Sequence, residues 1–307
     1  MSAGWVGASV RARLLLRRRL GRERATQLAR SGSLHEAIVS LTPTAYGREL
    51  EPGLDLEAAQ RAVAASTLLH LRLLSGWLPP GSAEFLRSLA AWYELVNVED
   101  RLAYLLGAEL RPPFDLGGLA SAWPAASQAV DTVELRSALA SSAWGDPGGT
   151  RADELHLALR MSWANRVATS MPEVGELVAG GLALLLGREL FVTGRPVELL
   201  LRRHLPALGV EWERARTFAE LGASLPPRAA WVLHGVDAPE ELWRAELAWW
   251  GRVESDGRAL MLRSREGRAA VTGVVLQLAV DTWLTTSALA AAALGGVGLE
   301  AVLHGET

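Results

Sequence analysis

Long stretches in which apolar residues recur every three or four positions fill most of this chain. Residues 56–75 show the pattern clearly, because Val63, Leu68, Leu71 and Leu74 would share one face of a helix. Similar stretches cover residues 5–30, 82–106, 151–169, 172–191, 239–263 and 268–294. Short breaks rich in proline or glycine separate them. The spacing therefore predicts long helices joined by short loops.

Residues that favour strands are scarce in the chain. Isoleucine occurs once and tyrosine three times among 307 residues, whereas the helix formers alanine, leucine, arginine and glutamate dominate. The twelve tryptophans are expected to supply buried area to a core otherwise built of alanine and leucine. We therefore predict an all-α, globular protein.

The chain contains neither cysteine nor lysine. The lack of cysteine excludes disulfides, thiolate metal sites and cysteine nucleophiles, and it suits a reducing cytoplasm. The lack of lysine excludes a phosphate-binding P-loop, and no G-x-S-x-G nucleophile motif occurs. The six histidines lie far apart and have no partner at a metal-ligand spacing. We expect no catalytic centre, no cofactor and no metal site.

A short motif occurs twice and has a weaker third copy. It reads SLTPTAYG at residues 40–47, ALASSAWG at residues 138–145 and, more loosely, AELGASLP at residues 219–226. Each copy precedes a turn and two long helices. The interval of about 80–100 residues exceeds that of a solenoid repeat. The pattern predicts three related helical domains in tandem.

Two polar side chains interrupt otherwise apolar helical stretches. Asp281 lies in the least charged helix of the chain, and Asn97 lies within residues 92–101. Each either makes hydrogen bonds between helices or belongs to a polar stripe; alternatively, each is a buried group of a functional site. The functional alternative would place an enzyme pocket around Trp249, Trp250 and Asp281.

Positive charge is concentrated near the N-terminus, although the net charge of the chain is −3. Residues 1–50 contain nine arginines and three glutamates. A solvated helix face, an acidic protein partner and an anionic membrane surface all fit this excess. No nucleic-acid recognition motif accompanies it, and we expect no nucleic-acid partner. The arginines expected at an interface are Arg11, Arg13, Arg17 and Arg18.

Two apolar segments have to be weighed as membrane spans, residues 176–191 and 271–302. Charged residues interrupt the first segment, and the second contains Gln277, Asp281 and Glu300. A span requires about 20 residues with few or no charges. We therefore expect two buried helices and no transmembrane segment. The first ten residues also lack a signal-peptide pattern, because the arginines follow the short apolar stretch.

Three short motifs resemble a known family. An arginine-rich first helix carries Ala8-Ser-Val-Arg11-Ala-Arg13, and a turn carries Thr44-Ala-Tyr46-Gly47-Arg-Glu49-Leu50. A later helix carries Tyr93-Glu-Leu-Val-Asn97, followed by an arginine and a glycine. Over residues 1–107 the chain resembles the C/d family of V-type ATPase central-stalk proteins, in which d is the eukaryotic designation. The resemblance marks five motif positions as structural: Tyr46, Gly47, Glu49, Tyr93 and Asn97.

This resemblance implies three similar all-helical domains arranged as a funnel, which we expect at residues 1–110, 111–208 and 209–307. It also implies a non-catalytic rotor adaptor on the cytoplasmic face of a membrane. Such a protein couples the central rotary shaft to the membrane proteolipid ring during ATP-linked proton or sodium transport. The C-terminal region departs from the family, because it is rich in alanine and glycine and lacks lysine.

Two other functions stay open. A helical scaffold or regulator unrelated to rotary ATPases would share the fold and the lack of catalytic motifs. A helical enzyme would require Asp281 to face a closed pocket together with a second polar group. Under the rotor hypothesis we expect the arginine-rich first helix to face an acidic partner.

Overall fold

The computed structural model describes residues 3–149, 151–197, 202 and 204–295. The protein is 71% helical, and its described residues form thirteen α-helices and no strand. The prediction of an all-α protein is therefore confirmed. Short 3₁₀ turns and one π-helical turn at Arg188–Val192 join some of the helices.

The helices are numbered here in chain order. They are α1 (Ala3–Leu16), α2 (Arg22–Ala29), α3 (Leu34–Leu41), α4 (Leu56–Ser75), α5 (Glu84–Leu105), α6 (Trp123–Ala126), α7 (Thr132–Ala140), α8 (Ala152–Ser170), α9 (Gly175–Gly187), α10 (Phe218–Ser224), α11 (Pro227–Ala230), α12 (Leu242–Arg263) and α13 (Arg268–Ala293). The long helices from α4 onward agree with the predicted stretches to within four residues at each end.

Helix α4 shows why the local pattern is reliable. The Asp55 side chain accepts a hydrogen bond from the backbone N–H of Ala58, which satisfies one of the free amides of the first turn. The apolar residues of the predicted face are all buried. They are Val63, Leu68, Leu71 and Leu74.

The predicted helix over residues 5–30 is wrong as a single element. The structure interrupts it between α1 and α2, where Gly21 has a φ of +80° that glycine adopts without strain. Within this break the backbone N–H groups of Leu20 and Gly21 bind the carboxylate of Asp281. A side chain far along the sequence therefore stabilises the interruption.

The chain divides into two compact units. Unit 1 comprises Met1–Ala83 and Trp250–Thr307, and it therefore contains both the first and the last helix. Unit 2 comprises Glu84–Trp249. These limits differ from the expected boundaries at residues 110 and 208. The division into three related domains and their funnel arrangement stay predictions.

Helix α13 forms the centre of unit 1. It packs against α1, α2, α3 and α4, and most of its residues are buried. Among the described helices it alone is long and apolar enough to cross a membrane by length and composition. Its burial against four helices is that of a core helix, as predicted for this segment. Residues 296–302 of the predicted segment lie outside the described part of the chain.

Two glycines allow α12 and α13 to approach each other closely in unit 1. A methyl group on Gly273 would lie 2.5 Å from the carbonyl oxygen of Gly257. A methyl group on Gly257 would in turn lie 2.9 Å from the amide nitrogen of the Gln277 side chain. The contact therefore has no room for a larger residue at Gly273.

In unit 2, α5 packs along α8, and the short helices α6 and α7 lie against α5. Their core contains leucines that are almost completely buried, at positions 95, 135, 139, 155 and 159. Burying a leucine side chain contributes roughly 1.5–3 kcal/mol. A further apolar cluster of unit 2 surrounds α9 and includes Trp212, Phe218 and Leu221.

Candidate functional site

The Asp281 carboxylate is buried on α13 and accepts three hydrogen bonds. The backbone N–H groups of Leu20 and Gly21 donate at 2.8 and 2.7 Å. The phenol O–H of Tyr46 donates at 2.6 Å. Hydrogen bonds to a charged group are stronger than those between neutral groups. This cluster therefore joins three segments of unit 1 that are far apart in the sequence.

Tyr46, one of the five family-motif residues, is the side-chain donor of this cluster. Burial raises the pKa of the Tyr46 phenol well above its usual value, and the adjacent Asp281 carboxylate raises it further. The phenol therefore keeps its proton at neutral pH and can act as a donor. The hydroxyl of Thr285 lies nearby and donates to the backbone oxygen of Asp281 at 2.7 Å.

A second buried carboxylate, Glu94 on α5, forms a similar cluster in unit 2. The backbone N–H groups of Ser121 and Trp123 donate to Glu94 at 2.6 and 2.8 Å. The indole N–H of Trp144 donates at 2.8 Å, and the hydroxyl of Ser121 donates as well.

Sequence reasoning missed Glu94, although a signal was present. Glu94 stands next to Tyr93 in an apolar helical stretch, where a glutamate on a regular polar face would be unremarkable. Alignment of the motif copies would have placed Trp144 at the position of Tyr46, and would have prompted a search for a second carboxylate.

The two clusters correspond bond by bond. In both, the ring donor is the seventh residue of the repeated motif, which is Tyr46 in the first copy and Trp144 in the second. In both, the carboxylate accepts two backbone N–H groups at the entry to a short helix, α2 or α6. The hydroxyl two residues earlier, on Thr44 or Ser142, accepts a bond from the amide of the ring residue. The first two motif copies therefore share one hydrogen-bonded design.

The long helix that follows each motif adds a further matched bond. The Ser66 hydroxyl on α4 donates to the backbone oxygen of Tyr46 at 3.5 Å. The Ser162 hydroxyl on α8 donates to the backbone oxygen of Trp144 at 2.9 Å. In both copies the motif turn is thus bonded to a carboxylate on one long helix and to a serine on another.

The glycine that ends the motif is required in both copies, but for different reasons. A Cβ atom on Gly47 would lie 1.9 Å from the backbone oxygen of Thr42. Gly145 instead has a φ of +73°, which other residues rarely adopt. Glu49, the motif residue that follows in the first copy, is exposed at the end of the 3₁₀ turn Gly47–Glu49.

The third motif copy keeps only the apolar part of this design among the described residues. Pro226 stands at the position of Tyr46 and Trp144, and its side chain has no hydrogen-bond donor. Leu221 of this copy is buried in the apolar cluster around α9. The missing polar link agrees with the looser sequence of this copy.

Asn97 and Tyr93, two other motif residues, hold the segment that follows α5. The Asn97 side chain is completely buried and bonds both backbone groups of Phe114, at 2.7 and 2.9 Å. The ring of Tyr93 packs edge-on against the ring of Phe114, with centroids 5.3 Å apart. Of the alternatives open for Asn97, the structure shows the hydrogen-bonding one.

The four arginines expected at an interface all belong to the exposed surface of unit 1. Arg11 and Arg13 lie on α1, and Arg17 and Arg18 lie in the turn after it. Arg18 is close enough to His70 to lower its pKa, which burial lowers to a larger extent. Among the described residues, no ion pair involves Arg13, Arg17 or Arg18.

The residues proposed for an enzyme pocket have separate local partners. The rings of Trp250 and Trp283 stack with centroids 5.1 Å apart. The indole N–H of Trp249 donates to the backbone oxygen of Leu177 at 2.8 Å. The hydrogen bonds to Asp281 come from protein groups, as described above. Within the described ranges, no group of three or more His, Cys, Asp or Glu residues could hold a metal ion.

The chain matches no protein-family model. No curated protein sequence is significantly similar to it. Function is therefore argued from three features: the paired carboxylate clusters, the exposed arginines of α1 and the motif resemblance over residues 1–107.

Proposed function

We propose that this chain is a non-catalytic rotor adaptor of a V-type ATPase. It acts as a socket on the cytoplasmic face of the membrane, with the central shaft bound on one side and the proteolipid ring on the other. The paired carboxylate clusters carry the proposal, because they give two helical modules the same internal design. Repetition of one helical module along the chain is what the resemblance to the central-stalk family implies.

The physical demand on such a part is stiffness. Helices packed at the density of protein interiors resist deformation. The clusters around Asp281 and Glu94 add buried, charge-assisted hydrogen bonds between segments that are distant in sequence. Each cluster ties a motif turn and the entry of a short helix to one long helix. Both modules are therefore suited to carry a load without internal rearrangement.

The composition of unit 1 supports the same role. Its first motif is completed by α13, the last long helix, because Tyr46 and Asp281 are 235 positions apart in the sequence. A force on either end of unit 1 acts on helices from both ends of the described chain. This arrangement suits a part that stands between a turning shaft and a ring.

Co-purification from membranes tests the proposal. An affinity-tagged copy of the chain replaces the native one, membranes are extracted in mild detergent, and the recovered proteins are identified by mass spectrometry. We expect a protein of the central shaft and the proteolipid, each in an amount comparable to that of the chain. An unrelated helical protein with the same tag controls for non-specific capture. Recovery of neither partner would contradict the proposal.

A further inference from the structure

Helix α1 has two apolar faces, and the described residues cover only one of them. Ala8 and Ala12 are completely buried in unit 1. On the other side, Val6, Val10 and Leu14 follow one another at four-residue spacing, which aligns them along the helix. They are 37%, 54% and 47% exposed. The helix therefore presents an apolar stripe to its surroundings.

Exposed arginines border this stripe. At 100° per residue, Arg13 and Arg17 fall on one side of the stripe and Arg11 falls on the other. Residues 3–19 contain five arginines and no aspartate or glutamate. We call the stripe and its bordering arginines the α1 ridge, which consists of Val6, Val10, Leu14, Arg11, Arg13 and Arg17.

A tryptophan extends the ridge on the Arg11 side. The Arg11 guanidinium lies 3.9 Å from the centroid of the Trp77 ring, and Trp77 is 48% exposed. Tryptophan prefers the boundary between water and acyl chains, because its large ring is apolar and its N–H is polar. Leu73, in the last turn of α4, is also exposed.

We infer that the α1 ridge binds the surface of a membrane that contains anionic phospholipids. A bilayer has an anionic headgroup layer above an apolar acyl layer, and the ridge has an apolar centre between cationic borders. The stripe can enter the boundary between the two layers while the arginines reach the phosphates. This inference goes beyond the rotor role, since it needs neither a shaft nor a ring.

The distribution of charge separates this occupant from an acidic protein surface. An acidic surface would pair with the arginines, but it would leave the stripe against polar groups. The rim of a protein interface is polar around an apolar core and pairs complementary charges. The border of the α1 ridge has one sign only, which matches the single sign of an anionic lipid layer.

Sedimentation of the purified chain with lipid vesicles tests the inference. One set of vesicles is phosphatidylcholine alone, and the other contains about one part in three phosphatidylserine. We expect binding to the anionic set at low salt, and weaker binding as salt screens the arginines. Arg13→Gln with Arg17→Gln should lower partitioning roughly 30-fold, since each charge near the surface accounts for about fivefold. Val10→Ser with Leu14→Ser should also weaken binding.

Two matched pairs in unit 2 serve as controls. Arg214→Gln with Arg216→Gln removes the same charge, and Val130→Ser with Val133→Ser removes a similar exposed apolar area. Both pairs should bind anionic vesicles as the wild type does, and circular dichroism verifies that every variant is folded.

Three outcomes would overturn the inference. They are no binding to anionic vesicles by the wild type, an equal loss in ridge and control variants, or capture of an acidic protein through the ridge without any lipid binding. Because the assay contains no other protein, its failure leaves the co-purification test of the rotor role unaffected.

Discussion

The phenol of Tyr46 donates a 2.6 Å hydrogen bond to the carboxylate of Asp281, which is 235 positions away in the sequence. The same carboxylate accepts the backbone N–H groups of Leu20 and Gly21. One side chain of α13 therefore fixes the break after α1 and the turn of the first motif. In unit 2, Glu94 combines a ring donor and two backbone amides in the same way.

Replacing Tyr46 with phenylalanine should destabilise the protein. The substitution keeps the ring but removes a donor from a buried carboxylate, and we expect the free energy of unfolding to fall by about 1.5–3 kcal/mol. Urea unfolding followed by circular dichroism measures the change. Tyr104→Phe is a matched control, because Tyr104 is exposed, and it should cost less than about 0.5 kcal/mol. Equal stabilities of the two variants would mean that the Tyr46–Asp281 bond contributes nothing.

The raised pKa of Tyr46 predicts a loss of stability in alkaline solution. Tyrosine in the unfolded chain loses its proton near pH 10, whereas Tyr46 in the folded protein keeps its proton to higher pH. The stabilising contribution is fully present below about pH 10 and is lost as the pH rises from there through the folded-state pKa. The chain has no lysine or cysteine to titrate in this range.

Urea unfolding between about pH 9 and 11 can isolate this effect. The wild type should lose more stability across the range than Tyr46→Phe does, because both proteins share the other two tyrosines. Parallel curves for the two proteins would show that the Tyr46 pKa is the same in the folded and unfolded states.

Replacing Glu94 with glutamine should cost more than a surface change. The amide has nearly the shape of the carboxylate, but its NH₂ group meets the donors of Ser121, Trp123 and Trp144 and leaves at least one unsatisfied. We expect a loss of about 2–4 kcal/mol in urea unfolding. Glu109→Gln is the control, since Glu109 is exposed. A Glu94→Gln protein as stable as that control would refute the role assigned to the second cluster.

Gly273→Ala should destabilise unit 1 in spite of the higher helix propensity of alanine. Propensity alone favours alanine by about 1 kcal/mol, but the new methyl group would lie 2.5 Å from the carbonyl oxygen of Gly257. Overpacking against backbone should outweigh that gain and leave a net loss of roughly 1–3 kcal/mol.

Gly251→Ala on α12 provides the opposite expectation for the same experiment. No atom lies within 4 Å of a methyl group at Gly251. This variant should therefore be neutral or up to about 1 kcal/mol more stable than the wild type. A stabilising effect at Gly273 as well would show that α12 and α13 are less closely packed than described.

The long helices could be predicted from the sequence because their determinants are local. Helix α4 has its cap at Asp55, its apolar face and its flanking breaks within a short stretch. The break between α1 and α2 could not be predicted, because its stabilising group, Asp281, is 260 positions from Gly21. Local periodicity contains no information about a partner at that distance.

The candidate site was only partly predictable for the same reason. The motif residues Tyr46 and Asn97 could be singled out, and hydrogen bonding was one of the alternatives for Asn97. Their partners, Asp281 and Phe114, follow only from the packing of helices. Glu94 was missed because a glutamate in a helix is ordinarily exposed, and only the fold shows that this one is buried.

The central claim, that the chain couples ATP hydrolysis to ion movement without catalysing either, is tested most directly in sealed vesicles from native membranes. Removal of the chain should abolish ATP-driven proton or sodium uptake, while hydrolysis by the catalytic part of the complex continues. Addition of the purified chain should restore uptake. Ion uptake at the wild-type rate in vesicles that lack the chain would contradict the account.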